Sequence, residues 1–474
     1  MFFPVALVLK LKIISYSRRR LIYALCLRPM KHGPYVPHEF GVDAEAHYAT
    51  SIGWLTASCS SSIPWPVEDV MVIYDGDDYF LRGVRDRGGH KNGPAITMRC
   101  DRSETNEVIA KVYRFASILG WYKRGYVDVG GYITGSHPTL YSEPQNSSTI
   151  LAGGPHGFDC NYMPLIRDDL TRRALAFWRE GSRLRYLHAG YAFLSFFKVL
   201  ESQFEDTSRR VEWIKAAIEK LDGNAAKRVQ ELRLECNDVG KHIYESGRCA
   251  IAHAQFSDGR GDPDVPQDRA RLAKDLVVIE SLARSYIADV LQVPDEMVVY
   301  STRDRLEPLS SVVPVAAFWA LKAKEFVSRR HVGLNDLSVG IAHWPHPPEA
   351  ELSRLTLRVT EVREGWVIVR AINDSGSISL AFDLDFPSGK AHINIEESSY
   401  RPPRAGEKPG DAIAVVRFRK QVIGNGQMEL WLPDGGRMDF EVVIPINIDI
   451  GGTFHLMDLE IEKLEKLGST DTSE

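Results

Sequence analysis

Nothing in this 474-residue chain restricts the fold more than the stretch from Tyr186 to Phe204. Leu187, Tyr191, Phe193, Leu194, Phe196, Phe197, Val199 and Leu200 fall on every side of a helix, with His188, Lys198 and Glu201 as the ionisable exceptions. A helix that is apolar all round belongs at the centre of a bundle, because no face of it is suited to water. Its neighbours supply the covering layer. Trp213, Ile214, Ala217 and Ile218 mark one amphipathic segment, stopped by Gly223-Asn224. Val229, Leu232, Cys236, Val239 and Ile243 form a near-heptad stripe, read as one helix that packs at a shallow angle. Leu272, Leu276, Ile279, Leu282, Ala283, Tyr286 and Ile287 mark another, before Pro294. Residues 165–295 are therefore expected to form a helical bundle.

The chain changes character on both sides. Residues 40–160 read as mixed α+β. Val70 to Tyr74 is a short β-type run, Asp75-Gly76 a turn, and Tyr79-Phe80-Leu81 a return strand. Val108, Val112, Phe115 and Leu119 then fall at helical spacing, with Gly120 as the expected stop. The segment from Thr139 to Asn161 reads as a linker. Residues 300–345 look like a connecting helix and loop, with Pro314 in a first turn. In residues 350–465 the alternation Leu355, Leu357, Val359 and Ile378, Leu380, Phe382, Leu384, Phe386 predicts strands with one buried face. Asn425-Gly426 and Asp434-Gly435 are hairpin signals. A small antiparallel sandwich or barrel is expected there. The fold class is thus multi-domain α+β, with a mixed N-terminal domain, a central bundle and an antiparallel β-rich C-terminal domain. Residues 1–38 read as a basic and apolar extension without fixed structure, and residues 467–474 as a polar tail.

Charge and cysteine use narrow the function. A formal net charge of -5 argues against a surface built throughout for nucleic acid. Cys26, Cys59, Cys100, Cys160, Cys236 and Cys249 are scattered and form no C-x-x-C pair, which reads as reduced thiols of a cytoplasmic protein rather than a disulfide frame or zinc site. In the first thirty residues the apolar run precedes the basic one, the reverse of a signal peptide, and it is too short to span a bilayer, so stable membrane insertion is not expected. No phosphate-binding glycine loop, nucleophile elbow or zinc motif occurs, and no metal or cofactor is expected.

One short stretch could carry chemistry: Tyr244-Glu245-Ser246-Gly247-Arg248-Cys249-Ala250-Ile251-Ala252-His253. An Arg and a His separated by four residues, late in a compact helical bundle, resemble the motif of HEPN domains. The segment Arg248 to Gln255, the Gly/Asp/Pro loop after it, the helix from Arg271 to Val290 and the run Phe197-Lys198-Val199-Leu200-Glu201 also resemble a bacterial family known as methylamine-utilisation protein J (MauJ). The HEPN resemblance implies a metal-independent endoribonuclease. Arg248 would stabilise the phosphorane charge, which guanidinium can do without losing its proton, and His253 would be the general acid or base. Glu201 would orient Arg248. On a straight helix five steps put Arg248 and His253 about 140° apart, so they converge only if the helix bends. Arg172, Arg173, Arg179 and Arg183 offer a local basic stripe for RNA, interleaved with acids.

Two functions are carried forward. The first is an endoribonuclease-like effector with RNA as partner. The second is a non-catalytic accessory protein of MauJ type, in which the bundle dimerises or docks a protein partner. A homodimer through the bundle is what the resemblance implies in either case. The geometry at Arg248 and His253 discriminates them: both facing one open groove with basic neighbours favours the first, either one buried in a private hydrogen bond the second.

Overall fold

The computed structural model describes residues 36–49, 53–84, 92–142, 150, 158–253, 265–344, 346–404, 407, 409–424, 426–440 and 449–469, without the side chains of residues 253, 468 and 469. The chain is α+β and forms two compact units, Pro34–Ser301 and the residues from Thr302 onward. Most of the stretch expected to be an unstructured extension, and the expected Gly/Asp/Pro loop after His253, lie outside the described residues.

The first unit opens on a six-stranded antiparallel sheet. Its strands are β1 (His38–Phe40), β2 (Trp54–Ser61), β3 (Val70–Tyr74), β4 (Asp77–Arg82), β5 (Ala95–Arg99) and β6 (Val127–Gly135), in the order β1-β3-β4-β5-β2-β6. β1 pairs with β3 from His38, inside the stretch assigned to the extension. The β3–β4 hairpin turns at Asp75-Gly76, where both residues take positive φ. Alternation sorts the side chains by face. Leu55, Ala57, Val70, Val72 and Leu81 enter the main core, while Trp54, Met71 and Phe80 form a small cluster with Ala44 on the opposite side.

Helix α1 (Thr105–Tyr122) lies on the core face, burying Val108, Val112, Phe115 and Leu119. Phe115 stacks on Tyr79 at 4.2 Å, and a buried phenylalanine contributes roughly 1.5–3 kcal/mol. Gly120 does not end this helix. It lies inside, where a Cβ would stand 3.0 Å from the Val127 amide, so glycine there lets the helix approach the start of β6.

The bundle follows as α2 (Asp169–Leu184), α3 (Ala189–Glu201), α4 (Thr207–Ile218), α5 (Gly223–Glu235), α6 (Val239–His242), a π-helical turn (Ile243–Cys249), α7 (Ala250–His253) and α8 (Pro266–Ser285). α3 is the central helix, with Phe193, Phe196, Phe197, Val199 and Leu200 fully buried. Its expected start is corrected. His188 caps it by accepting the Tyr191 N–H, so Tyr186 and Leu187 precede the helix and are 81% and 68% exposed; Tyr191, in the first turn, is 54% exposed. The single helix expected over Val229 to Ile243 is broken. Cys236 is extended, and Asp238 caps a new helix by accepting the Lys241 N–H. Sheet and bundle share one core: Trp121 meets Trp178 edge-on at 5.1 Å, and the contiguous apolar cluster runs from Val36 to Val293.

In the second unit α9 (Val315–Lys322) starts from Pro314. A seven-stranded antiparallel sheet contains β7 (Ser338–His343), β8 (Leu355–Arg363), β9 (Trp366–Ile372), β10 (Ile378–Asp385), β11 (Lys390–Tyr400), β12 (Met428–Trp431) and β13 (Arg437–Asp439), in the order β11-β10-β9-β8-β7-β12-β13. The alternating positions are buried as expected. The sandwich or barrel is not what buries them. Among the described residues one sheet is covered by helices: α9 contributes Phe318 and Leu321, and α10 (Gly410–Ile423) contributes Val415, Phe418 and Val422. Of the Asn425-Gly426 signal, Asn425 lies outside the described residues and Gly426 stands between α10 and β12 rather than between two strands, whereas Asp434-Gly435 does turn the β12–β13 hairpin. A last helix, α11 (Ile450–Ser469), packs Leu464 on Ala412 and Val416 and runs past Leu467, where the polar tail was expected. Among the described residues no helix is long and apolar enough to cross a membrane.

Candidate functional site

The π-helical turn sets the position of Arg248. In such a turn each N–H reaches back five residues, which rotates the following side chains relative to an α-helix. The turn presses against α3 at Gly247, where an added Cβ would collide with the ring of Phe193. Glycine is required there to bring the two backbones together. Arg248 then reaches the C-terminal end of α3, and its Nη2 donates to Glu201 Oε1 at 2.9 Å. The Arg248 side chain is 21% exposed. Burial opposes its charge, but Glu201 and the Cys249 side chain outweigh that and hold the guanidinium pKa above its ordinary value.

A second arginine shares the same carboxylate. Arg210, on α4, is buried on the stripe that also carries Ile214, Ala217 and Ile218, and its Nη1 lies 3.6 Å from Glu201 Oε1. Its guanidinium lies 5.5 Å from the centre of the Phe197 ring and 6.0 Å from that of Tyr244, and Arg248 lies 6.0 Å from the same Tyr244 ring. The Tyr244 hydroxyl is pushed above its usual pKa, first by Cys249 beside it, against the pull of both arginines. Two guanidiniums around one carboxylate leave the cluster positive. They also leave one Arg248 donor group, Nη2, engaged by Glu201. Glu201 and Arg248, paired in the sequence reading, are thus in direct contact. Arg210 was missed. The signal for it was a charged residue at a helical position otherwise reserved for apolar ones.

His253 ends α7, and its side chain lies outside the described residues. The meeting of Arg248 and His253 therefore has no described geometry.

A second ionic cluster sits between α5, α6 and α8, and the sequence reading missed it too. Asp275 is 1% exposed; its Oδ1 accepts from Arg228 Nε at 2.9 Å and its Oδ2 lies 2.9 Å from His242 Nε2. Arg271 lies 3.7 Å away and donates to the Ser246 carbonyl in the π-helical turn at 2.7 Å. Burial alone would raise the Asp275 pKa, but hydrogen bonds from His242 and Arg228 override it and hold the carboxyl below the usual range.

The four arginines expected to meet RNA do not form one open stripe. Arg179 is 7% exposed and donates to the Tyr113 carbonyl and Ser117 Oγ, both at 3.1 Å, so it fastens α2 to α1. Arg183 faces Asp128 at 3.4 Å. Arg172 donates to the Ile166 carbonyl at 3.2 Å, and Arg173 is exposed. Among the described residues no group of three or more His, Cys, Asp or Glu side chains is placed to hold a metal.

Residues 174–288, from α2 through α8, match the sequence model of the family described as methylamine utilization protein MauJ. No curated protein and no solved structure matches this chain.

Proposed function

We propose that the chain is a non-catalytic accessory protein of MauJ type whose helical bundle docks onto a second copy of itself. The observation that carries this is the exposed apolar segment at the N-terminal end of the central helix. Tyr186, Leu187 and Tyr191 are 81%, 68% and 54% exposed where α2 passes into α3, and His188 stacks on Tyr191 at 4.2 Å. Large apolar side chains gathered on a surface mark an interaction site, and tyrosines are favoured there because they bury area at low entropic cost. The Glu201–Arg248 ion pair supports the same reading, since the arginine expected to meet phosphate is already engaged. So does the family match, which covers this helix pair.

Sedimentation equilibrium of the full chain tests the proposal. The expected result is a dimer whose dissociation constant rises at least tenfold in a Tyr186→Ser, Leu187→Ser double variant. A monomeric wild type across the accessible concentrations counts against it.

The second reading, a metal-independent endoribonuclease of HEPN type, is favoured by one feature, the π-helical turn that carries Arg248. Such turns concentrate at functional sites. Its test is cleavage of a labelled RNA pool in EDTA by wild type, Arg248→Ala and His253→Ala, where cutting that survives in both variants removes the reading.

A further inference from the structure

A small cavity lies outside both clusters, between the β3–β4 hairpin, α1 and the start of α2. Its volume is about 90 Å³. That is the liquid volume of about three waters, too small for a nucleoside but sufficient for a group of four or five heavy atoms. The floor is apolar: Phe115 stacked on Tyr79, with Ile118 and Leu175 beside them. The rim is charged, with Lys111, Arg114 and Arg172 facing Asp75 and Asp77.

The two carboxylates are already engaged. Lys111 Nζ lies 2.9 Å from Asp77, and Arg167 lies 3.8 Å from Asp75. Arg172 spends its Nε on the Ile166 carbonyl. Arg114 has no ion-pair partner among the described residues. The neighbouring phenol, Tyr74, is also satisfied, donating to the Pro164 carbonyl at 2.9 Å and accepting from the Ile166 N–H at 3.1 Å. Tyr79 differs. It is 3% exposed, lines the cavity, and its hydroxyl has no hydrogen-bond partner among the described residues. That hydroxyl is not among the fully buried unpaired atoms, so it meets solvent in the cavity and can donate to an acceptor placed against it. Burial and the nearby acids hold this phenol far above its ordinary pKa, with Arg114 close enough to pull the other way, so the hydroxyl is present as a donor.

We propose that this cavity is a binding site for a small oxyanionic group, a phosphate or a carboxylate, held by the Tyr79 hydroxyl and the Arg114 guanidinium over the Tyr79–Phe115 floor. One neutral donor at the bottom and one unpaired cation at the rim suit an anion bearing a single charge. The cavity admits the headgroup and leaves the remainder of a larger ligand outside. This site does not depend on the docking role.

The full chain is titrated with sodium phosphate and separately with sodium acetate, at ionic strength held constant with sodium chloride. Binding is read by calorimetry and by melting temperature. Saturable binding of at least one anion is expected, and each of Tyr79→Phe and Arg114→Gln weakens it about tenfold or more. Saturation by phosphate alone assigns a phosphate group, and by acetate alone a carboxylate. A response that never saturates, or wild-type affinity in either folded variant, overturns the proposal. Should Tyr79→Phe fail to fold, the exposed Arg114→Gln decides.

Discussion

Replacing Asp275 by Asn takes one negative charge from the cluster between α5, α6 and α8 while leaving the side-chain shape intact. The carboxylate receives Arg228 through both Nε and Nη2, at 2.9 and 2.8 Å, and faces His242 and Arg271. Breaking one side of a buried ion pair costs about 3–5 kcal/mol, because the partner charge stays behind in a low dielectric. Arg228 keeps Glu231 and Glu235 at 2.9 and 3.0 Å, both more than half exposed, which places the expected loss near the lower end. About 3 kcal/mol corresponds to a little over a hundredfold in an opening equilibrium. A denaturation curve of two units need not be two-state, so amide exchange is the better assay. The amides of Val278, Ile279 and Leu282 on α8, all fully buried, should exchange about a hundredfold faster in Asp275→Asn at neutral pH. The effect has a sign in pH. A carboxyl held below its ordinary pKa contributes stability that is complete above the unfolded value and is lost as pH falls through the folded one. Wild type and variant should therefore converge at acid pH, below the usual carboxylate range. An acceleration under tenfold at neutral pH, or a gap that widens on acidification, would refute the reasoning.

Three further outcomes follow from the same geometry. Gly247→Ala forces a methyl into the ring of Phe193 and should destabilise the first unit by about 1–3 kcal/mol, read as faster exchange in α3 and the π-helical turn. Arg179→Ala leaves the Tyr113 carbonyl and Ser117 Oγ without their donor and should lower the melting temperature clearly, whereas exposed Arg173→Ala should change stability by less than about 0.5 kcal/mol. Burial pushes the Cys59 thiol up to about 12 and raises Cys160 further, so iodoacetamide at neutral pH followed by peptide mass mapping should label the half-buried Cys236 and Cys249 and spare those two.

How far the sequence reached depends on the range of the interaction. The β3–β4 hairpin and the strands around Leu357 and Phe382 were legible because turn chemistry and alternation are local. The covering of the second sheet was not, because Ala412 to Ile423 reads as helix only once Val415, Phe418 and Val422 are seen as one face. The break at Cys236 was hidden by a stripe that continued in phase across it, although Asp238 was an available cap. Glu201 and Arg248 came from a motif. Arg210, Arg228 and Asp275 needed a different question, namely which charged residues stand at positions where a helix buries its face. Each does so, beside Ile214, Val229 and Leu276 respectively.

The core shared by sheet and bundle has a practical consequence for anyone cutting this gene. A fragment limited to residues 174–288 would carry Trp178 without Trp121 and Arg179 without its acceptors on α1. Such a piece should be less stable than the whole first unit. Expression should begin near Pro34 and end near Ser301, so that purification recovers a folded product rather than an aggregate.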